Sequence, residues 1–213
     1  MANLGDVRKN YYKDVLFLGA LSADPMIQFE RWYQDAERIK LKEPNAMTLA
    51  TVSANGQPSA RIVLLKGFDK TGFTFYTNYV SKKGQDIAAN PQVGLCFLWK
   101  DLERQVRIEG VAEKVDEEVS KGYFNSRPRG SQISAWASPQ SQEINEEYLD
   151  DKRKLVEDQF ADKETIPLPP HWGGYTVKPS RIEFWQGRSN RYHDRFKYQL
   201  SDSGNWKIVR LAP

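Results

Sequence analysis

The chain of 213 residues contains one cysteine, Cys96, and only two histidines. A single cysteine cannot form a disulfide within the chain, and two histidines with one thiol leave no dense set of metal ligands. Cys96 lies in the apolar run 93–99, so we expect it to pack in the core. The sequence therefore predicts neither a disulfide framework nor a metal site.

Long apolar runs and a strong excess of one charge are also missing. No stretch approaches the roughly 20 apolar residues of a membrane span, and the N-terminus lacks the apolar centre of a signal peptide. Lys and Arg number 31 against 28 acidic residues, and the net charge of +3 is too small to indicate general nucleic-acid binding. We expect a cytoplasmic protein without a membrane or nucleic-acid partner.

The familiar catalytic and phosphate-binding motifs are absent as well. No glycine-rich phosphate loop follows a predicted strand. His193 precedes Asp194, but neighbouring residues of a strand point to opposite faces and make a poor catalytic dyad. This pattern favours a bound cofactor as the source of the chemistry, held by scattered cationic and hydroxyl groups.

Aromatic residues are plentiful, with 6 Trp, 10 Tyr and 10 Phe, which favours a β-rich core. Turn signals such as Asn55-Gly56 separate short alternating segments. The predicted strands are 47–54, 58–68, 73–78, 92–99, 103–115, 175–177, 181–185, 192–200 and 206–210. The predicted helices are one that starts at Asp24-Pro25 and four at 81–89, 116–126, 131–137 and 143–160. Antiparallel strands with helices between them indicate a barrel with peripheral helices.

The chain is long enough for one substantial domain. Residues 1–22 have no clear periodicity and are interpreted as an N-terminal arm. Residues 23–213 are predicted to form a single domain, because the C-terminal strands most simply complete the same sheet. The proline-rich stretch 166–170 is expected to be a stiff extended linker.

Three potential cations alternate near the C-terminus, at Arg191, His193 and Arg195. If this segment is a strand, all three side chains lie on one face and repel one another unless an anion sits there. A phosphorylated ligand would supply that charge. The alternative is a solvated edge strand whose charges prevent aggregation.

A second cluster, Ser81-Lys82-Lys83-Gly84, opens a predicted helix. Free N–H groups and the helix dipole attract phosphate at such an end, and two lysines add charge. The alternative is a capped helix with solvated lysines. The segment Arg61–Lys66 and the turn 138–141 are, by themselves, ordinary strand and cap sequences.

A third cluster contains Tyr123, Arg127 and Ser131, around a predicted helix break at Pro128. Two hydroxyl groups and a guanidinium could converge on a second phosphate. A polar interhelical loop in which Arg127 caps carbonyl groups is about equally compatible with the local pattern.

In their order along the chain, these segments resemble the pyridoxine (pyridoxamine) 5′-phosphate oxidase family. The resemblance extends from about Arg8 to the last residue. Its segments are Arg61–Lys66, Tyr76-Thr77, Ser81–Gly84, Arg104–Gly110, Tyr123–Pro128, Ser131–Ile133, Gln140-Ser141, Trp172–Tyr175, Phe184–Gly187, Arg191–Arg195 and Arg210–Pro213.

The resemblance implies a mainly β protein with peripheral helices, an FMN-binding split β-barrel that is antiparallel and Greek-key-like. It also implies a homodimer with two active sites at the subunit interface. The implied reaction is oxidation of pyridoxamine 5′-phosphate or pyridoxine 5′-phosphate by O2 to pyridoxal 5′-phosphate. Hydride would pass from the substrate to FMN, and H2O2 would be released, together with ammonia from the amine.

The same resemblance assigns roles to individual residues. Arg191 and His193 would be the catalytic residues beside the substrate ring. FMN would be held by Arg61, Ile62, Val63, Leu64, Leu65, Lys66, Tyr76, Thr77, Lys82, Lys83, Gln105, Gln140, Ser141, Trp185 and Arg195. The substrate would be held by Arg8, Lys9, Asn10, Tyr11, Lys66, Tyr123, Arg127, Ser131, Arg191 and His193.

Three positions depart from the family pattern. Lys82 stands where Arg is usual, which keeps the charge but loses the bidentate guanidinium. Asn125 replaces a usual His, and Tyr192 replaces a usual Leu. Two alternative functions remain open: a split-barrel flavin reductase that uses NAD(P)H, and a non-catalytic carrier of flavin or pyridoxal phosphate.

Overall fold

The computed structural model describes residues 9–213 and arranges them in nine strands and five α-helices. The helices are α1 (Pro25–Arg38), α2 (Lys82–Ala89), α3 (Glu117–Ser126), α4 (Arg129–Ala137) and α5 (Tyr148–Gln159). The strands are β1 (Ala46–Val52), β2 (Pro58–Leu64), β3 (Gly67–Asp69), β4 (Gly72–Asn78), β5 (Gln92–Trp99), β6 (Arg104–Lys114), β7 (Trp172–Gln186), β8 (Asp194–Leu200) and β9 (Trp206–Leu211). The predicted β-rich architecture with peripheral helices is confirmed.

Two helices begin where their capping residues predict. The side chain of Asp24 accepts a hydrogen bond from the Met26 amide at 2.8 Å, and Pro25 occupies the first turn of α1. Ser81 caps α2 by accepting from the Gly84 amide. Gly84 has to be glycine, because a Cβ there would lie 2.1 Å from the Tyr79 carbonyl oxygen.

The strands form one sheet in the order β2-β1-β5-β6-β7-β4-β3, and β8 pairs with both β7 and β9. The pairings β3–β4, β4–β7, β7–β8 and β8–β9 are all antiparallel. In the β4–β7 pair, Tyr76 lies opposite Gly174 and Thr77 opposite Gly173. Both glycines are closely packed: a Cβ at Gly174 would lie 2.8 Å from the Tyr76 ring, and one at Gly173 would lie 2.1 Å from the Tyr79 hydroxyl.

Several predicted boundaries differ from the structure. The two strands expected at 175–177 and 181–185 are one continuous strand, β7. Its proline, Pro179, lies between the part that pairs with β4 and the part that pairs with β8, so its missing N–H interrupts neither ladder. The strand expected over 58–68 is divided into β2 and β3, and α5 starts at Tyr148 instead of residue 143.

The strand predicted over 192–200 begins later, and the interpretation of 191–195 as one strand is wrong. Ser189–Arg191 form a 3₁₀ turn, and β8 begins only at Asp194. Asn190 and Arg191 have left-handed backbone angles, with φ of 54° and 63°, which end the extended conformation. Only Arg195 of the three lies on a strand, so they do not share a strand face.

The described residues divide into two compact units. The first unit comprises the chain up to Leu49, Gly94–Gly110 and Pro179–Pro213, and its core is aromatic: Phe29 packs on Phe97 and Trp32 on Phe184, with ring centres 5.2 Å apart in each pair. Cys96 belongs to this unit and is only half-buried, against the expectation of a core position.

The second unit comprises Ala50–Val93 and Val111–Lys178. Its helical part has a core in which Phe124, Ile133, Phe160 and Trp172 are buried together. In neither unit does the described chain contain a helix long and apolar enough to cross a membrane.

Candidate functional site

The second unit contains a cavity of about 680 Å³, which we call the cationic pocket. It lies where β2 and the end of β4 meet the first turn of α2 and the α3–α4 connection. The residues lining it are Arg61, Ile62, Val63, Leu64, Lys66, Tyr76, Thr77, Asn78, Lys83, Tyr123, Arg127, Pro128, Ser131, Ser134, Ala135, Ser138, Gln140 and Trp172.

Arg61 and Lys83 form one group of positive charges in this pocket. The Arg61 guanidinium donates to Thr51 Oγ1 at 2.7 Å and to Ser59 Oγ at 2.6 Å. Lys83 Nζ donates to Gln140 Oε1 at 2.9 Å. Burial lowers the pKa of Lys83, and the neighbouring charge of Arg61 lowers it further. An anion between these two cations would relieve both effects.

Arg127 is a second cation of the pocket, set against an aromatic face. Its guanidinium carbon lies 4.6 Å from the centre of the Trp172 ring. Burial lowers the pKa of Arg127. Its Nη1 is the one buried side-chain nitrogen or oxygen of the described residues without a hydrogen-bond partner. A buried donor of this kind is costly unless a ligand accepts from it, so the pocket fits an anionic group here.

Three aromatic rings stack beside this guanidinium. Tyr76 and Tyr123 have ring centres 3.9 Å apart with planes tilted by 20°. Trp172 stacks on both, at 5.6 Å from Tyr76 and 6.1 Å from Tyr123. The stack fixes the position of the Tyr123 ring. Tyr123 lines the pocket together with Arg127 and Ser131.

The first unit contains another cavity, of about 430 Å³, which we call the tryptophan pocket. It is lined by Lys9, Tyr11, Leu98, Lys100, Glu103, Gln105 and Trp185. Trp185 packs on the His193 ring at 4.6 Å, and the Tyr11 ring stands edge-on to both, at 5.8 and 5.9 Å. These contacts bring one arm residue, one predicted FMN residue and one predicted catalytic residue together.

Glu103 fastens the arm beside the tryptophan pocket. Its buried carboxylate accepts from the backbone amides of Tyr12 at 2.8 Å and Lys13 at 2.9 Å. Gly187 leaves room for the Tyr11 ring, because a Cβ at this position would come within 2.8 Å of that ring. The arm segment next to Tyr11 is therefore held by hydrogen bonds and by close packing.

The His193 ring is held in one tautomer. Its Nδ1 accepts a hydrogen bond from the Arg188 amide at 3.1 Å, so the proton of the neutral ring is on Nε2. Burial lowers the pKa of His193, the charge of Arg191 lowers it further, and Asp194 opposes them. A neutral ring with Nε2–H free can donate a hydrogen bond at pH 7.

Arg195 has a carboxylate partner within the chain. Its guanidinium contacts both oxygens of Glu183, at 2.8 and 3.2 Å, and donates to the Ala212 carbonyl at 2.8 Å. The hydrogen bond to the Glu183 carboxylate raises the pKa of Arg195. Part of the negative charge that the sequence argument sought beside the three cations is therefore supplied by Glu183 within the chain.

Comparison with known proteins identifies the family. Residues 34–163 match the family model described as pyridoxamine 5′-phosphate oxidase. The chain belongs to the pyridoxamine 5′-phosphate oxidase family. Residues 172–213 match the pyridoxine 5′-phosphate oxidase C-terminal dimerisation region, which supports the expected homodimer.

Relatives of this family align with the chain over almost its full length. A pyridoxine/pyridoxamine 5′-phosphate oxidase of Salinibacter ruber is 52% identical over 100% of both chains. One of Acaryochloris marina is 54% identical over 99% of this chain and 96% of its own. The expected membership in this family of oxidoreductases is confirmed.

Solved structures of the family share the fold. The crystal structure of PhzG from Burkholderia lata, in complex with tetrahydrophenazine-1-carboxylic acid, has a TM-score of 0.86 at 28% identity, covering 94% of this chain and 98% of PhzG. An FMN-binding protein related to pyridoxamine 5′-phosphate oxidase, from Nostoc punctiforme, has a TM-score of 0.70 at 18% identity, covering 91% and 100%. The split β-barrel predicted for this family member is confirmed.

The residues that the family resemblance selects fall mostly into the two pockets. Twelve of them line the cationic pocket: Arg61, Ile62, Val63, Leu64, Lys66, Tyr76, Thr77, Lys83, Tyr123, Arg127, Ser131 and Gln140. Four line the tryptophan pocket: Lys9, Tyr11, Gln105 and Trp185.

The remaining selected residues line neither pocket. Leu65 is buried, and Ser141 lies in the loop after α4 with φ of 75°. Lys82 forms an ion pair with the buried Asp86. Asn10 is exposed, and Arg8 lies outside the described residues. Arg191, His193 and Arg195 lie around the start of β8, where His193 contacts Trp185.

Sequence reasoning missed two residues that shape these sites of the family fold. Trp172, which stacks on Arg127, belongs to the segment Trp172–Tyr175 of the family resemblance, but no role was assigned to it. Its position before two glycines at the start of a strand could have indicated a role. Glu183, which pairs with Arg195, gave no signal, because the pairing depends on the register of β7 against β8.

Proposed function

We propose that the chain oxidises pyridoxamine 5′-phosphate or pyridoxine 5′-phosphate to pyridoxal 5′-phosphate, with FMN as cofactor and O2 as electron acceptor. H2O2 is released, with ammonia when the amine is the substrate. The observation that carries the proposal is the unpartnered Nη1 of Arg127, in the pocket that also holds Arg61 and Lys83. Two cationic groups in one pocket suit two phosphorylated ligands.

FMN suits the group around Arg61 and Lys83. Guanidinium and ammonium groups bind phosphate strongly, and Thr77 adds a hydroxyl within the same pocket. Bound FMN supplies the acceptor for the hydride that leaves the substrate. The chain's task in this region is to hold the phosphate end, which requires that Lys83 keep its proton.

The substrate phosphate suits the group around Arg127. Tyr123 and Ser131 line the pocket beside it and offer hydroxyl donors, and Lys66 offers an ammonium group. Stacking on Trp172 restricts the guanidinium plane before the ligand arrives. Binding energy at the phosphate then orients the distant reacting carbon.

His193 and Arg191 are proposed to act at the substrate ring. With Nδ1 occupied by the Arg188 amide, His193 can donate from Nε2 but has no lone pair free there to accept a proton. We therefore assign His193 the role of orienting the substrate, and not that of a general base. Arg191 supplies a fixed positive charge that stabilises negative charge developing on the substrate.

The family resemblance assigns the residues of both pockets to active sites at the interface of a homodimer. The match of residues 172–213 to a dimerisation region supports that assembly. Lys9, Asn10 and Tyr11 are proposed to cover the substrate. Glu103 supports this role, because it holds the neighbouring amides of Tyr12 and Lys13.

The test compares electron donors on protein reconstituted with FMN. Pyridoxamine 5′-phosphate should reduce the flavin rapidly, and unphosphorylated pyridoxamine should require a far higher concentration. Rapid reduction by NADH or NADPH, with none by pyridoxamine 5′-phosphate, would indicate a flavin reductase instead. Tight binding of FMN without reduction by any donor would indicate a carrier.

A further inference from the structure

A buried carboxylate stands at the start of β8, next to His193. Asp194 is 4% exposed, and its Oδ2 accepts from Arg188 Nη1 at 2.8 Å. The same oxygen accepts from the Leu16 amide at 3.1 Å, and Oδ1 accepts from Arg210 Nη2 at 3.1 Å. A carboxylate with this many donors holds its partners firmly, because a buried charge without them is costly.

Arg188 is held through both its side chain and its backbone. Its guanidinium is held by Asp194, and its backbone N–H donates to Nδ1 of His193. Between these two contacts the chain makes the Ser189–Arg191 turn, in which two residues have left-handed backbone angles. Such a turn persists only when contacts around it hold it in place.

We propose that Arg188 is a positioning residue for His193: anchored on Asp194, it holds its own N–H against Nδ1 and so selects the Nε2–H tautomer. The significance for catalysis rests on the proposed function, in which Nε2–H is the group that His193 offers to the substrate. The tautomer itself can be measured without any substrate.

The charged and titratable groups around the ring determine the expected effect of losing this anchor. Arg191, Asp194, Arg188 and Tyr11 face His193. Without the Arg188 guanidinium, Asp194 is less neutralised and its negative charge favours a protonated ring. The looser turn also weakens the hydrogen bond to Nδ1, which favours protonation as well. Both changes raise the pKa of His193.

The test is a ¹⁵N NMR titration of the histidine rings in the FMN-loaded protein. The chain has only two histidines, and a His171→Asn variant identifies the signals of each. His171 contacts the Ala135 carbonyl and serves as an internal reference. The wild-type His193 signals should show a neutral ring protonated on Nε2.

The decisive variant is Arg188→Ala, which removes the guanidinium and keeps the backbone N–H. It should give a mixture of the two neutral tautomers of His193 and raise the titration midpoint by about half a pH unit or more. The signals of His171 should not move. An unchanged tautomer and midpoint of His193 would overturn the proposal.

The matched control is Arg210→Ala, which removes the other guanidinium from Asp194 but none of the contacts to His193. It should leave the tautomer unchanged and raise the midpoint by less than Arg188→Ala does, because it changes only the charge around Asp194. Equal effects of the two variants would overturn the proposal, because the effect would then be one of charge on Asp194 alone.

Steady-state kinetics separate this proposal from the proposed function. The acid limb of kcat/KM for pyridoxamine 5′-phosphate should move to higher pH in Arg188→Ala, with the retention of FMN unchanged. An NMR shift in a protein whose wild type does not oxidise this substrate would support the positioning role and refute the function. An active wild type with no NMR shift in Arg188→Ala would support the proposed function and refute the positioning role of Arg188.

Discussion

The guanidinium carbon of Arg127 lies 4.6 Å from the ring centre of Trp172, and its buried Nη1 has no hydrogen-bond partner. Stacking holds the group in place, and burial lowers its pKa. The arrangement resembles a donor prepared in advance for an anionic acceptor. The cost of burying this donor without a partner would be recovered if, as proposed, a phosphate oxygen of the substrate accepted from it.

Arg127→Met should therefore weaken binding of the phosphorylated substrate and leave FMN bound. Methionine keeps much of the side-chain volume but removes the charge. Loss of a charge-assisted hydrogen bond predicts an increase in KM of about 10- to 100-fold. Steady-state kinetics with pyridoxamine 5′-phosphate measure this change.

Arg129→Met is the matched control for that variant. The Arg129 guanidinium donates to the carbonyls of Phe160 at 2.6 Å and Lys163 at 3.0 Å, away from the cationic pocket. It should lower thermal stability with KM changed less than about twofold. Similar KM values for wild type and Arg127→Met would contradict the substrate role of Arg127.

FMN affinity should depend on the protonation of Lys83. Because burial and Arg61 lower the pKa of Lys83 below the usual 10.5, the ammonium group loses its proton earlier as pH rises. FMN binding should be strongest below that lowered pKa and weaken as pH rises through it. Fluorescence titrations of FMN between about pH 7 and 10 measure the dependence.

Lys83→Met should remove this pH dependence and weaken FMN binding about tenfold or more. Lys121→Met serves as the control, since Lys121 makes only a surface contact of 3.7 Å with Glu118. If the Lys83 and Lys121 variants bind FMN equally well at each pH, Lys83 does not hold the phosphate.

Gly187→Ala should displace the arm from the tryptophan pocket. The added Cβ would come within 2.8 Å of the Tyr11 ring, while the backbone of Gly187 is in a range that alanine adopts. The amides of Tyr12 and Lys13, now bonded to Glu103, should exchange with solvent about tenfold faster. Amide hydrogen exchange measures this directly.

Gly122→Ala is the control for the added methyl group. Nothing lies within 4 Å of the Cβ position at Gly122, and the residue is in α3, where alanine is favoured. This variant should be more stable by about 0.5–1 kcal/mol and leave the arm unchanged. Normal protection of Tyr12 and Lys13 in Gly187→Ala would show that the Tyr11 contact does not hold the arm.

Arg104→Met should destabilise the fold by about 3 kcal/mol. The buried guanidinium contacts Asp14 and Asp35 at 2.7 Å each and lies 4.5 Å from the Trp32 ring centre. Its removal leaves Asp35 without its buried partner. Denaturant unfolding at a fixed protein concentration measures the loss.

Arg38→Met tests the same carboxylate from the solvent side. The Arg38 side chain is 77% exposed, and its contact with Asp35 is 2.6 Å. Exposed ion pairs contribute little, so we expect a change within about 0.5 kcal/mol. Comparable losses for Arg38→Met and Arg104→Met would refute the structural importance assigned to the buried network.

Local sequence signals predicted much of the fold. Capping residues gave the starts of α1 and α2, because the cap hydrogen bonds involve only neighbouring residues. The turn at 189–191 was missed, since left-handed angles at Asn190 and Arg191 depend on distant contacts such as Arg188 with Asp194. The continuity of the strands predicted at 175–177 and 181–185 was missed, because the change of pairing partner along β7 is a property of the whole sheet.

The candidate site, like the fold, was predictable from the sequence only in part. The family resemblance selected residues that line both pockets, while local patterns alone suggested anion sites at 191–195, at 81–84 and around Arg127. Glu183 neutralises Arg195 across the β7–β8 ladder, two positions from the directly paired Trp185. Such diagonal contacts require the register, which the sequence does not specify.

The most direct test of the proposed function is oxygen uptake measured together with formation of pyridoxal 5′-phosphate. Protein loaded with FMN and given pyridoxamine 5′-phosphate should consume about one O2 and release about one H2O2 for each pyridoxal 5′-phosphate formed. Arg127→Met should do so only at far higher substrate concentration. No oxygen uptake by FMN-loaded wild-type protein with either phosphorylated substrate would contradict the proposed function.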